Sequence, residues 1–256
     1  MHAQIVLTSS QSKRLIARGI LAWAPFGEAF ENGIVAVAKG TTNAYIAEEL
    51  LREAGPKETA DEFEKHLYVT GRTAPARGDA SWAKSQLPDV VFERGTLRQG
   101  ATVAAAAAEM GPGDIFLKGA NAINYELGQA AVLIGHPTGG TLSSVLGTLV
   151  SRKVRLVHPV GLEKEVPGDL TLAAQALSQG GETAGEVYGL WVTQGELFTE
   201  IEAIEAAFGL EALPVGAGGI AGAEGSIRLS IFGDQERLEK ALSDIRSIQE
   251  EGPLGP

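Results

Sequence analysis

The chain has 256 residues, 44% of them apolar, a formal net charge of -11 at pH 7 and no cysteine. That is enough apolar material for one large or two modest globular domains. The acidic balance disfavours nucleic acid and anionic lipid surfaces as partners, and the absence of thiols excludes disulfides, thiolate nucleophiles and cysteine-bearing metal sites.

Ser10 to Leu21 predicts an opening helix, with Leu15, Ile16, Ile20 and Leu21 on one face and Lys13, Arg14 and Arg18 on another. An apolar strand, Ile34 to Ala38, then runs into Lys39-Gly40-Thr41-Thr42-Asn43 and directly into a second helix reaching Ala54. Gly40 permits a sharp turn, and Thr41, Thr42 and Asn43 supply polar side chains. The first helical amides lack intrahelical partners, so the turn has the layout of an anion site. From Gly55 to Gly100 the pattern becomes an elaborated loop carrying an edge hairpin near Val90-Val91-Phe92. Ala101 to Met110 reads as a helix stopped by Gly111-Pro112-Gly113, and Asp114 to Lys118 as a buried strand. Ala130 to Ile134 is another strand, Leu142 to Val150 a helix, and Val154 to Val157 a strand ending in His158-Pro159. Strands alternating with helices at this spacing predict an α/β fold, a doubly wound and mostly parallel sheet.

From Glu186 the order is strand (Val187 to Val192), helix (Leu197 to Phe208), two strands (Ala212 to Val215, Ser226 to Phe232) and helix (Gln235 to Ile248). That order predicts a small ferredoxin-like α+β domain. The expected division is therefore a Rossmann-like domain over 1–183, with the 55–100 insertion, and a ferredoxin-like domain over 184–256.

In doubly wound sheets, ligands bind where successive strand-to-helix turns converge. Four turns qualify: Lys39 to Asn43, Lys118 to Asn124, Gly135 to Thr141 and His158 to Lys164. Expected ligand-binding residues are Lys39, Gly40, Thr41, Thr42, Asn43, Asn121, Asn124, Thr138, Gly139, Gly140 and Thr141. Lys118 is the expected electrophilic stabiliser, and Glu163, Glu224 or His136 the acid–base group. Each also has a plainer reading: Asn121 and Asn124 as turn residues, Glu163 and Lys164 as a surface pair, and the loop around Glu224 as a hairpin connection. The four histidines lack the spacing of a helical metal site, so neither metal nor cofactor is expected. No membrane span is expected either, which points to a cytoplasmic protein.

Over roughly Ser12 to Val166 these residues resemble the superfamily of ribose-5-phosphate isomerase, glucosamine-6-phosphate deaminase, coenzyme A transferases and sugar-phosphate-sensing repressor domains. Gly40-Thr41-Thr42-Asn43 is similar to the isomerase's phosphate-binding turn. Gly119 to Asn124 is similar to its Gly-Ala-Asp-Glu-Val-Asp segment, with Asn121 and Asn124 in place of both aspartates. Gly135 to Leu142 is similar to its glycine-rich turn, but Ser143-Ser144-Val145 replaces the Arg-Glu-Lys that follows. The resemblance implies a small phosphorylated or carboxylated metabolite as ligand and a divergent isomerase or transferase as function. The alternative is a non-catalytic ligand sensor or regulatory subunit. A purely structural role, with the small domain as a homo-oligomer interface, is the third reading.

Overall fold

The computed structural model describes residues 1–71, 73, 87–180, 184–185 and 187–255. Strand β1 (His2–Leu7) leads into helix α1 (Ser9–Ala22), where the Thr8 hydroxyl accepts the Gln11 N–H and the Gln11 side chain accepts the Thr8 N–H. Two amides that the helix leaves open are thereby satisfied. Helix α2 (Ala24–Asn32), the wholly buried strand β2 (Ile34–Val37), α3 (Thr41–Ala54) and α4 (Lys57–Glu62) follow. Strands β3 (Val90–Glu93) and β4 (Thr96–Leu97) form a hairpin closed by Arg94 and Gly95, both left-handed at φ 47 and 71. That backbone matches the twist of the strands it joins.

Next come α5 (Val103–Glu109), β5 (Ile115–Leu117), β6 (Ala122–Asn124), β7 (Gln129–Ile134), α6 (Gly140–Arg152) and β8 (Arg155–Pro159). The remainder is α7 (Leu170–Ser178), β9 (Gly189–Thr193), β10 (Glu196–Phe198), α8 (Glu200–Phe208), β11 (Glu211–Gly218), β12 (Ser226–Phe232) and α9 (Gln235–Ile248).

A six-stranded mixed sheet in the order β10-β8-β5-β2-β3-β4 organises this α/β structure. β10, β8, β5 and β2 run parallel, and the β3–β4 hairpin adds an antiparallel edge. Successive side chains face opposite ways, so Val35, Val37, Ile115 and Leu117 enter one core with Leu15, Ile16, Ile46 and Ile204 of α1, α3 and α8. Ile34, Ala36 and Phe116 enter a second core with Ala106, Val145 and Leu149 of α5 and α6. Each fully buried Ile, Leu or Phe stabilises by about 1.5–3 kcal/mol, which is why the pattern of this strand set fixes which helices cover which face.

Two antiparallel three-stranded sheets flank it, β1-β12-β11 and β6-β7-β9. The first pairs His2 with Phe232 through to Leu7 with Ile227, and its inward residues join the core shared with α1, α8 and α9. Among the described residues no helix is long and apolar enough to cross a membrane.

The structure differs from expectation at several elements. The strand at Ala130 to Ile134 is antiparallel and lies outside the parallel sheet. Only Tyr125 to Gly128 separates it from β6, too short for the crossover that a parallel neighbour needs. The helix expected from Leu197 begins at Glu200, because residues 196–198 pair with β8. Helix α7 ends shortly before the expected division at 183/184, where 181–183 lie outside the described residues, as do 72 and 74–86 of the 55–100 insertion. The expected division at 183/184 is crossed by all three sheets: β9 pairs with β7, β10 with β8, and β12 with β1. β1, α2 and β10 were absent from the sequence reading altogether.

Candidate functional site

Three of the four anticipated turns converge. Lys39 to Thr42 after β2, Lys118 to Asn121 after β5, and Glu163 to Val166 beyond β8 line one cavity of about 360 Å³, with Thr70 and Gly71 on its rim. The fourth turn follows β7 instead, and His136, Gly139, Gly140 and Thr141 line an adjoining cavity of about 190 Å³. Thr70, Lys118 and Asn121 belong to both walls, so Lys118 sits at the waist of a two-lobed cleft.

At the first lobe, Gly40 offers no side chain to cap α3, and its own N–H goes to Tyr68 O at 3.2 Å. Thr42, only 1% exposed, lines the cavity, and its buried Oγ1 has no hydrogen-bond partner among the described residues. Buried hydroxyls are normally bonded, so this one stands out. Lys39 reaches Asp89 at 3.4 Å. Asn43 does not line the cavity: its Nδ2 donates to Ala38 O at 2.7 Å and Leu117 O at 3.0 Å, tying the ends of β2 and β5 together.

Other expected site residues are placed as follows. Asn121 lines both lobes, and its Oδ1 accepts the Leu133 N–H at 3.0 Å. Asn124 donates to Gly168 O at 2.8 Å and accepts from Leu127 N at 2.9 Å, a turn-fixing role away from both cavities. Thr138 hydrogen-bonds the His136 ring through its N–H at 3.2 Å and lines neither lobe. Glu224 lies in the exposed β11–β12 loop, where it accepts the Gly222 N–H at 2.9 Å; it too lines neither lobe, so the acid–base role expected of it has no place there.

Glu163 and Lys164 are not a plain surface pair. Glu163 lines the larger lobe and binds Lys13 at 3.0 Å and the Ser9 hydroxyl at 3.4 Å, while its Oε2 is buried without a hydrogen-bond partner among the described residues. Burial alone would raise this carboxyl, but Lys13 and Lys164 hold it below the ordinary carboxylate value. Lys164 donates to Ala120 O at 2.9 Å, and burial brings it down to about 8. Behind them lies Glu200, fully buried at the start of α8, with Oε2 accepting the Leu162 N–H at 2.9 Å and Oε1 unpartnered. Burial and then the nearby Glu163 push it up to about 7.

Lys118 is also brought down to about 8, by burial and then by Lys164. Its Nζ has one long contact, 3.4 Å to Gly119 O. His158 is structural. Nδ1 faces Lys118 O at 2.5 Å, and since a carbonyl can only accept, Nδ1 carries the hydrogen and Nε2 accepts the Thr193 hydroxyl at 2.7 Å. Burial then takes this ring down to about 4.

The sequence reading missed Lys13, Thr70 and Glu200, and it placed Lys164 in the fourth turn without giving it a role. Lys13 lay on the charged face of the opening helix, and Glu200 is distant in sequence from every glycine-rich turn. The chain matches no family model, no curated protein and no solved structure.

Proposed function

We propose that the two-lobed cleft binds a small phosphorylated or carboxylated metabolite, with its anionic group at the start of α3. The observation that carries this reading is Thr42, which lines the larger lobe beside an uncapped helix N-terminus and holds a buried hydroxyl with no hydrogen-bond partner among the described residues. An anion there would accept hydrogen bonds from Thr42 and the first amides, each charge-assisted bond contributing about 1.5–3 kcal/mol. Lys39, Lys118 and Lys164 around the lobe provide the counter-charge in a chain whose net charge is -11.

Thermal-shift titration with sulfate, sugar phosphates, nucleotides and acyl-coenzyme A tests it. Stabilisation by at least one anion is expected, and its loss in Thr42→Val. No shift with any anion at millimolar levels would overturn the proposal.

Within this reading, a divergent isomerase or transferase relies on Glu163, since Asn121 and Asn124 stand where the similar superfamily has aspartates. A non-catalytic sensor is the second reading, favoured by those same asparagines, whose side chains are engaged with backbone at Leu133, Gly168 and Leu127. Turnover of any phosphorylated carbonyl compound would decide against the sensor. The finer architecture belongs to the same proposal. Helices on both faces of the large sheet support the doubly wound reading, and α8 and α9 in the core of β1-β12-β11 support a ferredoxin-like arrangement, with β1 standing in for the expected first strand. We take the protein to be cytoplasmic, with no nucleic-acid or membrane partner, on the strength of its acidic charge and lack of cysteine.

A further inference from the structure

The molecule treats its buried cations in two ways. Arg14 is met by Glu48, by Glu49 at 2.7 Å and by Glu251 at 2.8 Å. Lys13 is met by Glu163 at 3.0 Å, and Lys39 by Asp89 at 3.4 Å. Lys118, on the wall common to both lobes, pairs with no carboxylate among the described residues, and its nearest charged influence is another cation, Lys164. In a chain with 32 acidic residues against 21 Lys and Arg, a half-buried lysine facing open space without a counter-ion is a costly arrangement. It is also the arrangement that gives an amine nucleophilic character, because desolvation and a neighbouring cation both favour the neutral form.

We propose that Lys118 is a nucleophilic lysine that condenses with the carbonyl group of an aldehyde or ketone whose anionic group is held at the start of α3. The inference rests on the anion site proposed above. The neutral Nζ adds to the carbonyl carbon, forming a C–N bond as the carbonyl π pair moves to oxygen. That oxygen takes a proton while the nitrogen gives one up, and the resulting carbinolamine loses water. One amine and one carbonyl thus yield one imine and one water, with no change of oxidation state. Glu163, the carboxylate that lines the same lobe, is the group to carry the proton from nitrogen to the departing hydroxyl. The larger lobe, about 360 Å³, takes the phosphorylated or carboxylated end, and the lobe of about 190 Å³ takes what extends past the carbonyl. An imine here would give the site electron-withdrawing chemistry that does not depend on the missing aspartates.

Pyridoxal 5′-phosphate serves as probe, being an aldehyde with a phosphate. The protein is incubated with one equivalent at about pH 8, reduced with borohydride and mapped by peptide mass. At that pH a lysine near 8 holds on the order of a hundredfold more neutral amine than one near its ordinary 10.5, and of the two lysines near 8 Lys118 lies on the wall of both lobes whereas Lys164 donates to Ala120 O at 2.9 Å. We expect a single reduced adduct on Lys118, formed about tenfold or more faster than at any other lysine, slowed by excess sulfate, and absent in Lys118→Arg with its melting temperature retained. Labelling spread over surface lysines, or equal labelling at Lys39 or Lys164, would overturn the proposal, as would an unchanged adduct yield in Lys118→Arg. Pyridoxal without the phosphate separates this inference from the anion site. If it labels Lys118 as fast and sulfate does not protect, the nucleophile stands and the anion site falls; if sulfate stabilises the fold but Lys118 is never labelled, the reverse holds.

Discussion

Thr42 and Glu200 both hold a buried oxygen with no partner among the described residues, and the two should respond oppositely to experiment. Removing the Thr42 hydroxyl by Thr42→Val keeps the shape of the side chain and relieves an unsatisfied buried group, so the free protein should gain about 1 kcal/mol in urea unfolding. The same variant should lose anion binding, an exchange of function for stability expected only if the hydroxyl is held open for a ligand. A destabilised Thr42→Val would show that the hydroxyl is satisfied in solution. For Glu200, the folded value of about 7 lies above the ordinary 4.5, so the folded state binds the extra proton. Stability from this group is full below pH 4.5 and is lost as pH rises through about 7. At about 1.4 kcal/mol per unit, the loss is on the order of a few kcal/mol. Glu200→Gln keeps an acceptor for the Leu162 N–H but cannot ionise, so this loss should be absent from it: relative to the parent its stability should be level below pH 4.5 and higher near pH 8. Parallel melting curves for parent and variant from acid to alkaline pH would refute the assignment. Thr42 was legible from sequence because its neighbours Gly40 and Asn43 mark a helix start after a strand. Glu200 was not, since what makes it unusual is its complete burial and then the charge of Glu163, 37 positions away, and no local pattern encodes either.

At the scale of elements, periodicity found most helices and strands of the large sheet to within two or three residues, because a buried face leaves a repeat that composition cannot hide. It failed where burial came from tertiary closure. The polar side of α1 read as a charged face, yet Lys13 and Arg14 are 5% and 4% exposed, since α3 and the C-terminal segment bring Glu48, Glu49 and Glu251 over Arg14. Short strands such as β10 gave no signal, and the six-residue β1 went unread. α1 also meets α8 closely: a Cβ at Gly19 would lie 2.5 Å from both Cα and Cβ of Ala203. Neither backbone can yield without parting the helices, so Gly19→Ala should cost about 1–3 kcal/mol despite the better helix propensity of alanine. Chemical denaturation measures it, and a neutral or stabilising Gly19→Ala would mean the two helices are free to separate. Because α8 begins at Glu200, the same variant should also weaken sulfate binding at the cleft.

For the molecule as a whole, the first and last segments of the chain form one sheet, with six residues of β1 paired along β12. Sequence order suggested a C-terminal unit able to stand alone, because a strand-helix-strand-strand-helix run is a familiar self-contained pattern. Connectivity decides otherwise only in three dimensions: the run's first strand pairs with β7, the unanticipated β10 with β8, and the place beside β12 goes to β1. A fragment comprising residues 184–256 would therefore keep only the β11–β12 hairpin and two helices. Ile227, Leu229 and Ile231, all buried in the full chain, would lose their packing against Ile5, Leu7 and α1. With each such side chain contributing about 1.5–3 kcal/mol and whole domains only about 5–15, losing several leaves no net stability. The fragment should show a disordered circular dichroism spectrum and no cooperative melt, whereas the same fragment mixed with a chain comprising residues 1–183 should regain structure if the pairing across 183/184 is what holds it. A cooperative melt of 184–256 alone would establish an autonomous domain, and β1 would then be an accessory to it.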